Sequence, residues 1–260
     1  MTSPTRAIDA FLDAIDIAHG PTDLLTRFII KAITSAAARG VYLEFGTFSQ
    51  LLEVNQLNQD SWRPLTTTLN ADIGGARDDA GLVVLGRNSG GEVVATQAVR
   101  LFDWHDTNFK VEAESLRYFY ERPASHKRPD ERCTVTAGIA HDITGSVISA
   151  GGLWYRKDFR RRQLADIMPR LTRACAHALW GVDYLIAIVA EESVKKNLLK
   201  RVGMKDVSRS VVLFNSPGYP DSEVSMVLLR QTPNDLIDDV FNFMMSFDVE
   251  VVDTFHSRSA

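Results

Sequence analysis

The sequence predicts an α/β fold: a central mixed sheet with helices on both faces, preceded by a helical extension. Three observations carry that prediction. Strand-like runs in the middle of the chain adjoin one another as hairpins. From residue 146 onward, strands alternate with amphipathic helices, so some strands must pair across a helical crossover. Two helical patterns fill residues 1–40 and one more occupies 231–260, so the body of the fold is expected over 41–230.

The elements follow in order. Ile8, Phe11, Leu12, Ile15 and Ala18 recur at helical spacing as far as His19-Gly20-Pro21, a stop signal. Thr22 opens a second helix through Leu25, Phe28, Ile29 and Ile33, with Gly40 placed to cap its end. Residues 41–45 alternate as a strand does, and 49–62 return to helical spacing until Arg63-Pro64. Strands over 82–85 and 92–101 flank Arg87-Asn88-Ser89-Gly90-Gly91, a hairpin signal. A short helix is expected over 111–120, and 121–132 (ERPASHKRPDER) reads as an exposed polar loop. Residues 146–154 form the next strand. Leu164, Ile167, Met168, Leu171, Ala174, Cys175 and Ala178 then mark a helix of roughly five turns. Pro169 inside it cannot donate to the carbonyl of Ala165 and should bend the axis. Gly181 closes this helix. A buried strand follows over 183–190, then a helix over 192–202 ending at Gly203. A strand pair over 211–214 and 224–229 and an amphipathic helix over 236–247 complete the chain.

Composition narrows the function classes. The 260 residues are 45% hydrophobic and 24% charged, which excludes disordered, collagen-like and coiled-coil chains. No apolar run approaches the ~20 residues that span a bilayer, so no membrane role is expected. The first twenty residues carry Asp9, Asp13 and Asp16 and lack a basic start, unlike a secretory signal. Cys133 and Cys175 cannot build a disulfide framework and suit a reducing, cytoplasmic setting. A net charge of -4 argues against a surface that binds nucleic acid. The histidines have neither an i,i+4 partner nor cysteines at ligand spacing, so no metal site is expected.

Against this acidic background, Arg156, Lys157, Arg160, Arg161 and Arg162 crowd one strand-to-helix junction. A helix start there offers N–H groups without intrahelical partners and the positive end of the helix dipole, an arrangement that receives phosphate. Flanking arginines add charge-assisted hydrogen bonds to phosphate oxygens. The strand end at Leu153, Trp154 and Tyr155 can pair its edge with the amides of an extended ligand arm. A solvated basic surface and an RNA-contacting patch are the competing readings, and the acidic remainder weighs against the second.

The order strand, basic loop, helix, strand, helix over 146–204, with the run GGLWYRKDFRRRQLADIMPRL, resembles the GNAT superfamily of CoA-dependent N-acyltransferases. Arg160-Arg161-Arg162-Gln163-Leu164-Ala165 stands where that family has Arg/Gln-x-x-Gly-x-Gly/Ala. Arg201-Val202-Gly203-Met204 stands where it has Lys-x-Gly-Phe. The resemblance implies acetyl-CoA or another acyl-CoA as co-substrate and an amine on a small molecule or peptide as acceptor. It assigns the pyrophosphate to Arg160, Arg161, Arg162, Gln163, Leu164 and Ala165, and the pantetheine arm to Leu153, Trp154 and Tyr155. Gln163 replaces the first loop glycine, Leu199 replaces the usual tyrosine proton donor, and Glu192 replaces a common asparagine. Ser193 and Asn197 are therefore the candidates for hydrogen bonding to the departing thiolate.

Two other readings share the scaffold: an N-acyl synthase fed by an acyl-carrier protein, and a non-catalytic acyl-CoA-binding protein. The helices beyond the sheet's needs are expected to cover its flank or form a homodimer surface. His141-Asp142 reads either as a base or amine binder or as a turn, and Asp103-Trp104-His105-Asp106 either as the cap of an amine pocket or as an exposed turn. Cys175 lies on an apolar helix face and belongs to the core, while Cys133 has no histidine to make it a nucleophile.

Overall fold

The structure, a computed structural model, describes residues 4–194, 198–204 and 206–249. It opens with α1 (Pro4–Asp13), shorter than the periodicity predicts. Ile15 and Ile17 still pack against the core, but as irregular chain. The N–H groups of Ala18 and His19 donate to the Ala178 carbonyl at 3.0 and 2.9 Å, a long-range bond that competes with continued helix.

Helix α2 (Thr22–Ala38) ends where Gly40 takes φ 76°, and β1 (Tyr42–Gly46) follows. Helix α3 (Phe48–Leu57) starts on a capping box of Thr47 and Gln50 and stops before Trp62. Strands β2 (Gly81–Arg87) and β3 (Val93–Trp104) form the expected hairpin. The polar stretch after α4 (Phe109–Glu114) and α5 (Pro123–His126) holds an unexpected strand, β4 (Arg132–Val135), which pairs with the sheet's far edge.

Strand β5 (Gly145–Tyr155) leads into α6 (Leu164–Trp180), which runs continuously through Pro169 and closes at Gly181 in the left-handed region. Then come β6 (Tyr184–Ala190), α7 (Glu191–Val194) and α8 (Leu198–Val202). A long hairpin of β7 (Asp206–Ser216) and β8 (Tyr219–Gln231) precedes α9 (Pro233–Ser246), which starts on a capping box of Thr232 and Asp235.

Among the described residues, eight strands form one sheet in the order β1-β2-β3-β5-β6-β8-β7-β4. Every neighbouring pair is antiparallel except β5 and β6. One face packs on α2, α6 and α9. The other carries an aromatic cluster beside α4 and a smaller apolar cluster beneath α3. The helices from the two ends of the chain share one core, since the rings of Phe28 and Phe243 meet edge to face at 5.4 Å. Among the described residues, no helix is long and apolar enough to cross a membrane.

Candidate functional site

The parallel pair is where the sheet opens. Val147, Ile148 and Ser149 pair with Tyr184, Leu185 and Ile186, and the two strands then part. Beyond Ser149, β5 stays paired only with β3, while β6 stays paired only with β8. Local chemistry at Gly151-Gly152 accounts for the divergence. Gly152 has φ 65°, a left-handed conformation that favours glycine, and a bulge lies opposite at Thr96 and Ala98. The Thr96 hydroxyl donates to the Gly152 carbonyl at 2.7 Å, and Gln97 Nε2 donates to the Gly151 carbonyl at 3.0 Å, fixing the bend. A side chain at Gly151 would bring its Cβ to 2.8 Å from Leu69. Bulge and bend together turn the β5 edge away from β6 and leave its backbone groups without a ladder partner.

A cavity of about 690 Å³ fills the gap. Its walls come from residues 61–69, the parting ends of β5 and β6, the hairpin tip at 216–219, and Pro169 and Arg173 of α6. It reaches both faces of the sheet. Along β6, Ala187 belongs to the core under α8, and Ile188 packs on the aromatic cluster of the opposite face.

One carboxylate in the wall is buried. Glu131, only 6% exposed, accepts from the Tyr120 hydroxyl at 2.7 and 2.9 Å and from the Arg128 N–H at 2.9 Å. Burial, reinforced by this carboxylate, drives the Tyr120 hydroxyl pKa upward, so it remains a donor. Tyr118 lies 2.6 Å from the Ser149 hydroxyl, and burial pushes its phenol up to about 12. At neutral pH Tyr118 is therefore a hydrogen-bond donor and a poor source of protons. At the rim, Arg63 bonds the Tyr219 hydroxyl and pairs with Glu192 at 3.2 Å, while Trp62 stacks on Trp154 at 5.5 Å.

Leu153, Trp154, Tyr155 and Arg160 line the cavity. Arg161, Arg162, Gln163, Leu164 and Ala165 do not. Arg161 and Gln163 take φ 65° and 58°, so Gln163 adopts the backbone conformation that suits a glycine. Its side chain accepts from Arg39 Nη2 at 2.5 Å, which ties the loop to the end of α2. Most of the basic run is already partnered. Arg156 pairs with Asp158 and with Glu92, Arg160 donates to the Tyr155 carbonyl, and Arg162 donates to the Arg39 carbonyl and lies over the Phe159 ring. The start of α6 keeps the first-turn N–H groups of Leu164 and Ala165, as any helix start does.

Ser193 falls within α7, next to Glu192 in the cavity rim; Asn197 lies outside the described residues. Neither histidine motif lines this cavity. His105 is bonded to Asp103 at 2.6 Å on the surface, while Trp104 is buried among aromatics; His141 ends a short 3-10 turn. The exposed-loop reading of 121–132 is corrected at Glu131, whose burial depends on a tyrosine eleven residues upstream. A glutamate flanked by charged residues gives no sequence signal of turning inward.

Both cysteines are buried. Burial pushes the Cys133 thiol up to about 12 and drives Cys175 up as well, so at mildly alkaline pH both stay protonated. Ellman's reagent is expected to leave the folded protein untouched and to count two thiols after denaturation. Rapid release of chromophore from the folded protein would contradict the burial.

No protein-family model matches the chain, and no curated protein sequence matches it. Solved structures do. Arabidopsis thaliana NAA60 in complex with acetyl-CoA is 10% identical, over 74% of this chain and 99% of that one, with a TM-score of 0.42. A GNAT superfamily phosphinothricin acetyltransferase from Sinorhizobium meliloti, in complex with acetyl-CoA, is 9% identical over 74% and 88%, with a TM-score of 0.40. Spermidine N-acetyltransferase from Vibrio cholerae is 8% identical over 74% and 94%, with a TM-score of 0.40. The structure itself shows a mixed sheet whose neighbouring parallel strands, β5 and β6, part over a cavity.

Proposed function

We propose that the chain transfers an acyl group from an acyl-CoA thioester to an amine. The observation that carries this reading is the unpaired β5 edge opening into a cavity that also holds the buried carboxylate of Glu131. In this reading the amides of the pantetheine arm pair with the edge at Leu153, Trp154 and Tyr155, as an added strand would. Arg160, Arg161 and the start of α6, from Arg162 and Gln163 to Leu164 and Ala165, receive the pyrophosphate. Glu131 accepts the proton of the amine, directly or through one water, and the freed nitrogen lone pair attacks the thioester carbon. A backbone N–H on the strand edge stabilises the oxyanion. The C–S bond then breaks, the electron pair leaves on sulfur as a thiolate of ordinary acidity, with a pKa of about 8.5, and the thiolate takes up the second proton that the acylated nitrogen must lose. Tyr118 donates a hydrogen bond within the cavity without giving up its proton. Ser193 and Asn197 are kept as candidate donors to the thiolate on sequence grounds.

In the same proposal residues 41–230 form the transferase body, which 1–40 and 231–260 complete. Acetyl-CoA is the first donor to test, with an amine on a small molecule or peptide as acceptor. Calorimetry with CoA, acetyl-CoA and longer acyl-CoAs checks it. Micromolar binding of at least one thioester is the expected result. No binding by any of them would remove the reading.

A further inference from the structure

On the sheet face away from α6, the cavity has an apolar floor. It crosses four neighbouring strands, β5, β6, β8 and β7, which contribute Ser149, Ile188, Met226 and Leu213 in turn. Ile188, Met226 and Leu213 belong to the aromatic cluster of that face. Tyr118 and Phe119, whose rings meet edge to face at 4.8 Å, add aromatic wall. The hydroxyls of Tyr118 and Ser149 bond each other at 2.6 Å, so what these six residues offer a ligand is mainly hydrocarbon.

Glu131 stands in the same wall and lacks a counter-charge. Its Oε2 accepts from the Tyr120 hydroxyl at 2.7 Å and from the Arg128 N–H at 2.9 Å. Its Oε1 accepts from the Tyr120 hydroxyl alone, at 2.9 Å, which leaves that oxygen a lone pair to give. Among the described residues, no basic side chain forms an ion pair with Glu131. Arg128 directs Nε to Asn215 Oδ1 at 3.1 Å. Arg100 lies over the Phe102 ring of the same face, donates to the carbonyls of Thr68 and Gly74, and stands outside the wall. A carboxylate taken out of water calls for a cation, a need that a neutral hydroxyl or a water does not meet.

The other charges of the wall are engaged. Arg63 and Glu192 pair with each other at the rim, Arg160 donates to the Tyr155 carbonyl, and Arg173 on α6 donates to the Val202 carbonyl. A second ammonium on a ligand would find Glu192 already neutralised. A ligand carboxylate would enter beside Glu131, a like charge. Either group would give up its water without an opposite charge in return.

We infer that the acceptor is a small monoamine on an apolar body, an alkyl- or arylalkylamine, whose ammonium meets Glu131 while its hydrocarbon lies along Phe119, Ile188, Leu213 and Met226. The inference rests on the acyl-transfer reading and names the class of amine. Glu131 takes the first proton from the group it has bound, so one carboxylate both recognises and activates the nitrogen.

Steady-state kinetics on the whole protein, with the acyl-CoA that binds tightest, tests it on pairs that differ by one charge. Hexylamine is expected to exceed 1,6-diaminohexane in kcat/KM by about a hundredfold or more, and phenethylamine to exceed phenylalanine by as much. From propylamine to hexylamine, each added methylene should raise kcat/KM by about two- to fourfold. Phe119→Ala and Ile188→Ala each remove apolar wall. Either should cut the advantage of hexylamine over propylamine by about fivefold or more, with the acyl-CoA dissociation constant within about twofold of the parent. A mere folding defect would lower the rate with every amine alike and leave their ratio unchanged.

Turnover of diaminohexane or phenylalanine equal to that of its monoamine counterpart would overturn the inference and leave acyl transfer standing. So would an alkylamine series without dependence on length. Acyl-CoA binding with no monoamine acylated would overturn the inference and keep the donor half of the acyl-CoA reading. Failure of every thioester to bind would remove both.

Discussion

Glu131→Gln is expected to lower kcat for acyl transfer by roughly 10²–10⁴-fold while leaving the KM for the thioester donor close to that of the parent. The amide retains the size of the carboxylate and can still accept from the Tyr120 hydroxyl, so packing around it should survive. What it loses is the capacity to take a proton from the amine. Because Glu131 is bonded to Tyr120, a member of the aromatic cluster on the face away from α6, donor binding should be spared and the chemical step should suffer. Glu192→Gln supplies the control. That carboxylate also lines the cavity, but its side chain is 60% exposed and paired with Arg63, and its replacement should change kcat by less than about threefold. Steady-state kinetics with any amine that supports turnover decides the matter; a Glu131→Gln enzyme within twofold of the parent would remove the assigned role.

The second large effect concerns stability. Asp239→Ala is expected to destabilise the fold by about 3–5 kcal/mol, which for a chain of this length lowers the melting temperature by on the order of 10 °C. Asp239 on α9 is bidentate with Arg170 and lies 3.7 Å from Arg173, and the side chains of Asp239 and Arg170 are each about 10% exposed. A buried ion pair is weak evidence of stability in itself, because well-packed apolar groups can do as well. Removing one partner is a different change, since it leaves guanidinium charge in a medium that cannot solvate it. Burial already lowers the pKa of Arg173 to about 10 despite the favourable field of Asp239. Gly203 is part of the same arrangement: at φ 73° it lets the carboxylate approach so closely that any Cβ there would lie 2.0 Å from Asp239 Oδ2. Thermal melts followed by circular dichroism give the answer, and a shift below about 3 °C would show that α9 is held by its apolar face alone.

The periodic elements were legible because a helix or strand with one buried face writes its period into the chain. Leu164 to Ala178 shows this for α6, and the glycine-rich turn shows it for the β2–β3 hairpin. Expectations failed where a distant partner decides. Residues after Asp13 leave the helix for a carbonyl of α6. Strand β4 carries only four residues within a polar stretch and exists because β7 presents an edge to it.

The cationic junction shows the same division. The sequence by itself determined that five basic residues stand between a strand and a helix in an acidic chain, since charge is a property of composition. Only the tertiary structure decided what those charges face. Glu92, sixty-four residues away, joins Asp158 in holding Arg156, and the Arg39 carbonyl takes Arg162. In the same way the chain names Glu131, Phe119, Ile188 and Met226 without linking them, and the parting of β5 from β6 brings them to one cavity. The physical reason is range. Propensity, periodicity and capping act over a few residues, whereas burial and electrostatic pairing depend on neighbours in space, which exist only after the sheet has formed.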